Sequence, residues 1–457
     1  MNVPPRGTTV AESLADQVLA LRTEAIPASV RQRVEELLID VVGLCVASRR
    51  TDYVRAVAAA LDAGGACTAI GHSGGFPAEA AALINGTAAH GEDFDDTFEG
   101  GPVHSSAVVI PAVLATAERF QRHGHDALPA IAGGVESLCR LSMVVPKAIH
   151  KAGFHPTSVL GVMGAALAAS RTLGQKRREA VDALGIAGSL ASGIIEYLAE
   201  GAWTKRMHPG WAAQSGVQAA RLAGQGFRGP RTVLEGTHGL FYAFASTLEG
   251  HYDVLAEDFG RKWFIDSITF KPYATGTMNQ PYIDCALRLR ERDFRPEDVR
   301  EILCETAEGY VHRLWEPLAS KHRPANAYAA KFSTPFNIAV ALVTGGAGLA
   351  AFTEETAKDP RILALASKVR YVVDPDNPYP KAFTGHIRMT LNDGRVLEER
   401  QGHIRGGAHE PLSRGEIEAK YLGNCEYGGW TRARAQQFLD TVPRFFDGPL
   451  DITPLRG

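Results

Sequence analysis

Up to about residue 260 no stretch of this chain alternates polar and apolar residues with a period of two; its apolar residues recur at helical spacing instead. TTVAESLADQVLALR opens with Thr9 three residues before Glu12, the spacing of a capping box. SVRQRVEELLIDVVGLCVA then sets Val30, Val34, Leu37, Leu38, Val41 and Leu44 along one broad face. Alanine-rich helical segments follow near 77–89, 105–121, 127–144, 156–172, 176–198 and 210–224. Alanine and glycine on so many faces let helix backbones approach closely, which predicts a tightly packed bundle rather than a coiled coil.

The pattern changes near KWFIDSITFKPYATG. FIDSITF, EILCET, KVRYVVD and the pair HIRMTL and RVLEER read as strands, the last two joined by an Asn-Asp-Gly turn. Helical segments at 276–292, 325–344 and 353–367 lie among them. A length of 457 residues exceeds one ordinary core. The expected fold is mainly α: an all-helical domain over 1–267, a smaller α+β domain over 268–404, and a helical tail over 405–457 that opens at Ser413 and Glu416.

Composition narrows the function. A net charge of -3 and no long Lys/Arg run argue against a nucleic-acid partner. The N-terminus lacks an apolar targeting segment and no uninterrupted apolar stretch is long enough for a bilayer, so no membrane partner and a cytoplasmic location are expected. The six cysteines are scattered without a C-x-x-C pair and read as small buried hydrophobes, not zinc ligands.

FNIAVALVTGGAGLAAF matches a dinucleotide fingerprint at Gly346, Gly348 and Ala351. It lacks the βαβ surroundings and the distant acid that such a site needs, so a buried helix ending at glycines is expected. The sequon at Asn85 carries no meaning in a cytoplasmic chain. HGEDFDDTFEGGPVHSS holds five carboxylates between Glu92 and Glu99, closed by His90 and His104. Its spacing is not that of a calcium loop, although a carboxylate cluster can hold magnesium without a rigid motif. Alone it reads as a solvated loop leading into a helix capped near Ser105 or Ser106. Three other stretches set ionisable groups beside glycine or proline at helix beginnings. They are His155 in KAGFHPTSVLG, Lys205 and His208 in EGAWTKRMHPGWAAQSG, and Lys271, Tyr273 and Gln280 in ITFKPYATGTMNQPYIDC. A histidine ahead of a helix N-terminus suits anion binding and a depressed imidazole pKa.

These four stretches resemble the MmgE/PrpD family, in order and over nearly the whole chain. Its members include 2-methylcitrate dehydratase, cis-aconitate decarboxylase and iminodisuccinate epimerase. The resemblance implies a helical domain completed by the C-terminal tail, an α+β lid domain, a homodimer, and an interdomain pocket for small di- or tricarboxylates that uses neither metal nor cofactor. Carried over by position, it implies catalytic roles for Asp93, His104, His155 and Lys205, and substrate contacts for Thr97, His208, Lys271, Tyr273 and Gln280. His155 and His104 would be the acid/base pair, and Lys205 and Lys271 would clamp carboxylates. Asp93 would orient a histidine or substrate hydroxyl, while Glu92, Asp95, Asp96 and Glu99 cap backbone or face water. Two positions depart from the pattern: Gln280 stands where many relatives carry histidine, and Phe336 where tyrosine is frequent. Proton movement next to a carboxylate is the shared chemistry. The expected activity is that of a lyase, a dehydratase ahead of an epimerase or a decarboxylase. An inactive relative that only binds carboxylates is the alternative.

Overall fold

A computed structural model describes residues 7–457 and divides them into two compact units. The first holds the chain up to Gly91, then Asp95–Ile268 and Arg414–Gly457; the second holds Glu92–Phe94 and Thr269–Ser413. Residues 1–6 of the expected first segment lie outside the described part.

The first unit is helical. Its main helices are α1 (Val10–Ala20), α2 (Ala28–Ser48), α3 (Ala78–His90), α4 (Ser106–Arg119), α5 (Gly124–Val144), α6 (Pro156–Leu173), α7 (Arg177–Leu190) and α8 (Thr204–Gly224). The capping box at α1 forms as its spacing predicts, with Thr9 and Glu12 bonded reciprocally. α8 packs on both α3 and α6, and glycine allows it. A Cβ on Gly86 of α3 would come within 2.6 Å of the Gly210 Cα of α8, and one on Gly216 within 2.4 Å of the Ala165 Cβ of α6. α5 has the length and mean hydropathy of a membrane span, but Asp126, Glu136 and Arg140 interrupt it and its most apolar stretch is 94% buried. It is a core helix.

Two helix limits differ from the sequence reading. α7 ends at Leu190 instead of 198, because the chain turns through Gly193 at φ +112°. α8 begins at Thr204 instead of 210, with Pro209 inside the helix, so Lys205 and His208 sit in its opening turns. FIDSITF is strand only at Ile268–Thr269; Phe264–Ser267 before it form a 3₁₀ turn. The amides of Phe264 and Ile265 donate to the Glu136 carboxylate of α5 at 2.8 and 3.1 Å, which removes them from any ladder. Arg140 pairs with Glu136 at 2.6 Å and donates to the carbonyls of Val254, Glu257 and Lys262, tying this segment to the core.

In the second unit the other strands form as predicted: β1 (Val299–Thr306), β2 (Val369–Val373), β3 (Gly385–Leu391) and β4 (Val396–Gln401), in the order β2-β1-β3-β4. β1 and β2 are parallel and the other pairs antiparallel. Helix α9 (Gln280–Arg290) packs on β3 and β4, and α10 (Thr334–Thr344) packs on α9. α10 ends at Gly345 in the left-handed region, so the glycine motif closes a buried helix and makes no dinucleotide turn.

The tail returns to the first unit as α11 (Arg414–Tyr427) and α12 (Arg432–Thr441). Lys420 of α11 pairs with buried Asp40 of α2 at 2.7 Å, and Tyr421 lies against Gly43. All six cysteines are buried and unlinked.

Candidate active site

The first unit gathers four histidines. His90 ends α3, His104 precedes α4, His155 is the N-cap residue of α6, and His208 lies one turn into α8. All four are buried. Ring centroids lie 4.7 Å apart for His90 and His104, 5.8 Å for His90 and His155, and 5.2 Å for His155 and His208.

Each ring is held by a named neighbour. The His104 Nδ1 donates to the Asp96 carbonyl at 2.7 Å and lies 3.2 Å from the Thr97 hydroxyl, which places the ring proton on Nδ1. The His104 amide donates to the Thr157 hydroxyl of α6. The His155 amide donates to the Gly193 carbonyl at 2.8 Å, and its Nδ1 shares a proton with the His208 Nδ1 at 3.1 Å. Gly193 is irreplaceable here, since a Cβ would lie 2.5 Å from the Ser158 Oγ. Burial, then the charges of His90, His208, Lys205 and His104, hold His155 well below the ordinary imidazole value. Burial, then the charges of His90 and Lys205, bring His208 down to about 4. Both rings are therefore neutral at pH 7.

The acidic segment divides. Asp96 takes the capping role expected of Ser105 or Ser106: its carboxylate accepts from the amides of Ser105 and Ser106 and from both hydroxyls. Burial, and then the neighbouring Asp95, raise its pKa to about 7. Asp95 faces neither backbone nor water as expected. Its Oδ2 accepts from the His90 Nδ1 at 2.7 Å and lies 3.5 Å from the His104 Nδ1. His90 and Asp95 form a buried bonded pair that the sequence reading did not anticipate. Their five-residue separation in HGEDFD was the available signal.

In the second unit, Asp93 sits at φ +53°, a left-handed conformation rare for a buried non-glycine residue. The segment between His90 and His104 is thus not helical, and Thr97 does not lie a helical turn after Asp93. The Asp93 carbonyl accepts from the Lys271 Nζ at 3.0 Å and its carboxylate from the Tyr328 hydroxyl at 2.9 Å. Gln280 and Tyr273 are bonded to each other and to their own unit. The Gln280 amide bonds the Tyr273 amide and the Tyr273 and Thr275 carbonyls, and the Tyr273 hydroxyl donates to Asp284 at 2.6 Å. Burial lifts the Asp284 carboxyl to about 6. Phe336 is fully buried in α10 near Phe352.

One nitrogen each from His90, His104 and His155 lies within 4.8 Å of the others, so this triad is where a metal ion could be held among the described residues. Asp95 and the Asp96 carbonyl would then serve as outer partners of two of the rings.

Residues 12–251 match the MmgE/PrpD N-terminal domain, and residues 273–442 the MmgE/PrpD C-terminal domain. The chain belongs to the MmgE/PrpD family. Relatives within it include cis-aconitate decarboxylase of Homo sapiens, 32% identical over 77% of this chain and 73% of that protein. The Mus musculus cis-aconitate decarboxylase is 28% identical, covering 91% and 87% of the two chains. That of Aspergillus terreus is 27% identical, covering 95% and 92%. These relatives are lyases, and this MmgE/PrpD chain is of the lyase kind.

Proposed function

We propose that this chain is a cofactor-independent lyase that removes carbon dioxide from a small unsaturated tricarboxylate of the cis-aconitate type. The observation that carries the reading is the cluster of His104, His155 and His208 beside Lys205, in a family whose sampled relatives are cis-aconitate decarboxylases. A β,γ-unsaturated acid loses carbon dioxide when the electrons of the breaking C–C bond form a new double bond. The displaced π pair then takes a proton at the far carbon. That step needs one positioned proton donor and cations on the remaining carboxylates. His104 is the donor: with Nδ1–H anchored on the Asp96 carbonyl, its imidazolium form gives up the Nε2 proton and returns to the neutral Nδ1–H ring. Lys205 and Lys271 are the carboxylate clamps, and Asp93 keeps the substrate-contact role that the family pattern implies.

Loss of water from a hydroxy acid is the second reading, and the state of His155 favours it. A ring held neutral by burial is a ready base for a proton next to a carboxylate. Incubation of cis-aconitate, 2-methylcitrate and citrate in D₂O, followed by proton NMR and carbon dioxide capture, separates the two. Carbon dioxide from cis-aconitate with one solvent deuteron in the product is the expected result. Water loss from 2-methylcitrate without carbon dioxide selects the hydro-lyase. Binding with neither conversion nor exchange would overturn both in favour of a carboxylate-binding protein.

We further propose that the protein is a homodimer, assembled through the first unit. Ile194, Leu198 and Trp203 are apolar yet 58%, 58% and 50% exposed. Ile194 is bridged to Phe154, which meets Phe244 edge-on, so the apolar surface is continuous with the residue before His155.

A further inference from the structure

His90 and Asp95 have no role in the reaction just described, yet both are buried at its centre. Asp95 is fully buried, and a carboxylate in that setting is retained only where it is bonded. A single oxygen, Oδ2, serves two rings: 2.7 Å from the His90 Nδ1 and 3.5 Å from the His104 Nδ1. An ionised carboxylate only accepts, so the bond at 2.7 Å fixes the His90 proton on Nδ1. The His104 proton is fixed on Nδ1 by the Asp96 carbonyl, with the Asp95 charge close behind it. Both rings are thereby turned with Nε2 away from their anchors. The His90 Nε2 is buried and has no hydrogen-bond partner among the described residues, while its ring packs 4.7 Å from His104 and 5.8 Å from His155 between centroids. The position of His90 is fixed from behind, since it ends α3 and the next residue, Gly91, leaves no room for a Cβ beside the Tyr53 ring.

We propose that Asp95 and His90 are a positioning pair for the acid/base histidines. Asp95 sets the ring orientation and tautomer of His90 and reinforces that of His104. His90, in turn, packs the His104 and His155 rings in register and keeps one acceptor nitrogen facing them. The inference rests on the lyase reading for its kinetic consequence, but its tautomer claim is independent of any substrate.

The test uses the full-length enzyme labelled with ¹⁵N-histidine, with Asp95→Asn, His90→Asn and His155→Ala variants whose folding is checked by circular dichroism. Long-range ¹H–¹⁵N spectra should show His90 and His104 as Nδ1–H tautomers in the wild type. In Asp95→Asn, His90 should become a mixture. On the substrate found above, Asp95→Asn should lower kcat by about 10²–10⁴-fold and leave KM within about threefold, the pattern of a lost orienting carboxylate. His90→Asn keeps a donor for Asp95 but lacks Nε2, and should lower kcat while leaving the His104 tautomer unchanged. An Nε2–H tautomer at His90 in the wild type would overturn the proposal. So would near-normal kcat in a folded Asp95→Asn enzyme while His155→Ala is inactive. Should His155→Ala itself turn over normally, the lyase assignment of the cluster falls, and the tautomer spectra alone decide on the pair.

Discussion

At the scale of single residues the site turns on which nitrogen of each imidazole is committed. His104 commits Nδ1 to a carbonyl and His155 commits Nδ1 to a second histidine. His104→Ala and His155→Ala should each lower kcat by about 10²–10⁴-fold with the thermal unfolding midpoint little changed, read from steady-state rates and calorimetry. The pH profile follows from the sign of one shift. On the hydro-lyase reading His155 must be neutral to accept a proton, and its pKa lies well below the ordinary 6.5. The neutral form is therefore complete at pH 6.5 and is lost only as pH falls through the depressed value. The acid limb of kcat/KM should accordingly lie below pH 6.5, and a limb at or above that pH would contradict a neutral buried base. His104 and His155 were legible because each precedes a helix and is followed by small or hydroxylated residues. The Asp95–His90 bond was not, since it depends on a fold-back through the left-handed backbone of Asp93, which no periodicity records. The bonding of Gln280 was equally illegible, since its amide meets the backbone at Tyr273–Thr275 through the fold of that turn.

At the scale of elements, close backbone approach decides the packing of α3, α6 and α8. Gly210→Ala would place a Cβ 2.2 Å from the Leu83 carbonyl, and should destabilise the protein by about 1–3 kcal/mol in urea unfolding. Gly423→Ala meets nothing within 4 Å inside α11, and should stabilise by about 0.5–1 kcal/mol. The same residue type therefore gives opposite signs at two helical positions, a direct check on the packing. Helix and strand positions were mostly legible because one face of each is buried. Where the reading failed, a tertiary partner had intervened. Glu136 takes the amides of Phe264 and Ile265, which confines the strand of FIDSITF to Ile268–Thr269, and Gly193 breaks α7 to present its carbonyl to His155. Pro209 gave a false start signal for α8. At the sixth helical position it costs only the bond to the Lys205 carbonyl, and the helix continues on both sides of it.

At the scale of the whole molecule two expectations are open to direct measurement. The proposed chemistry needs no metal, so prolonged dialysis against dipicolinate should leave turnover within about twofold; a loss restored by one divalent ion would instead place that ion on the histidine triad. Sedimentation equilibrium at micromolar concentration should report a dimer, and Ile194→Asp should shift it toward monomer. A further consequence follows from Glu92–Phe94, which packs with the second unit although the chain on either side belongs to the first. Lys331 has its ammonium within 2.5 Å of the Glu92 carboxylate and only 2% of its side chain exposed. The stretch 269–413 is therefore not a cassette. Moved into a relative by itself, it would carry a buried cation whose counter-charge is encoded some two hundred residues upstream. Chimaeras with a relative should therefore keep a wild-type unfolding midpoint only when the short acidic segment and the long contiguous one travel together.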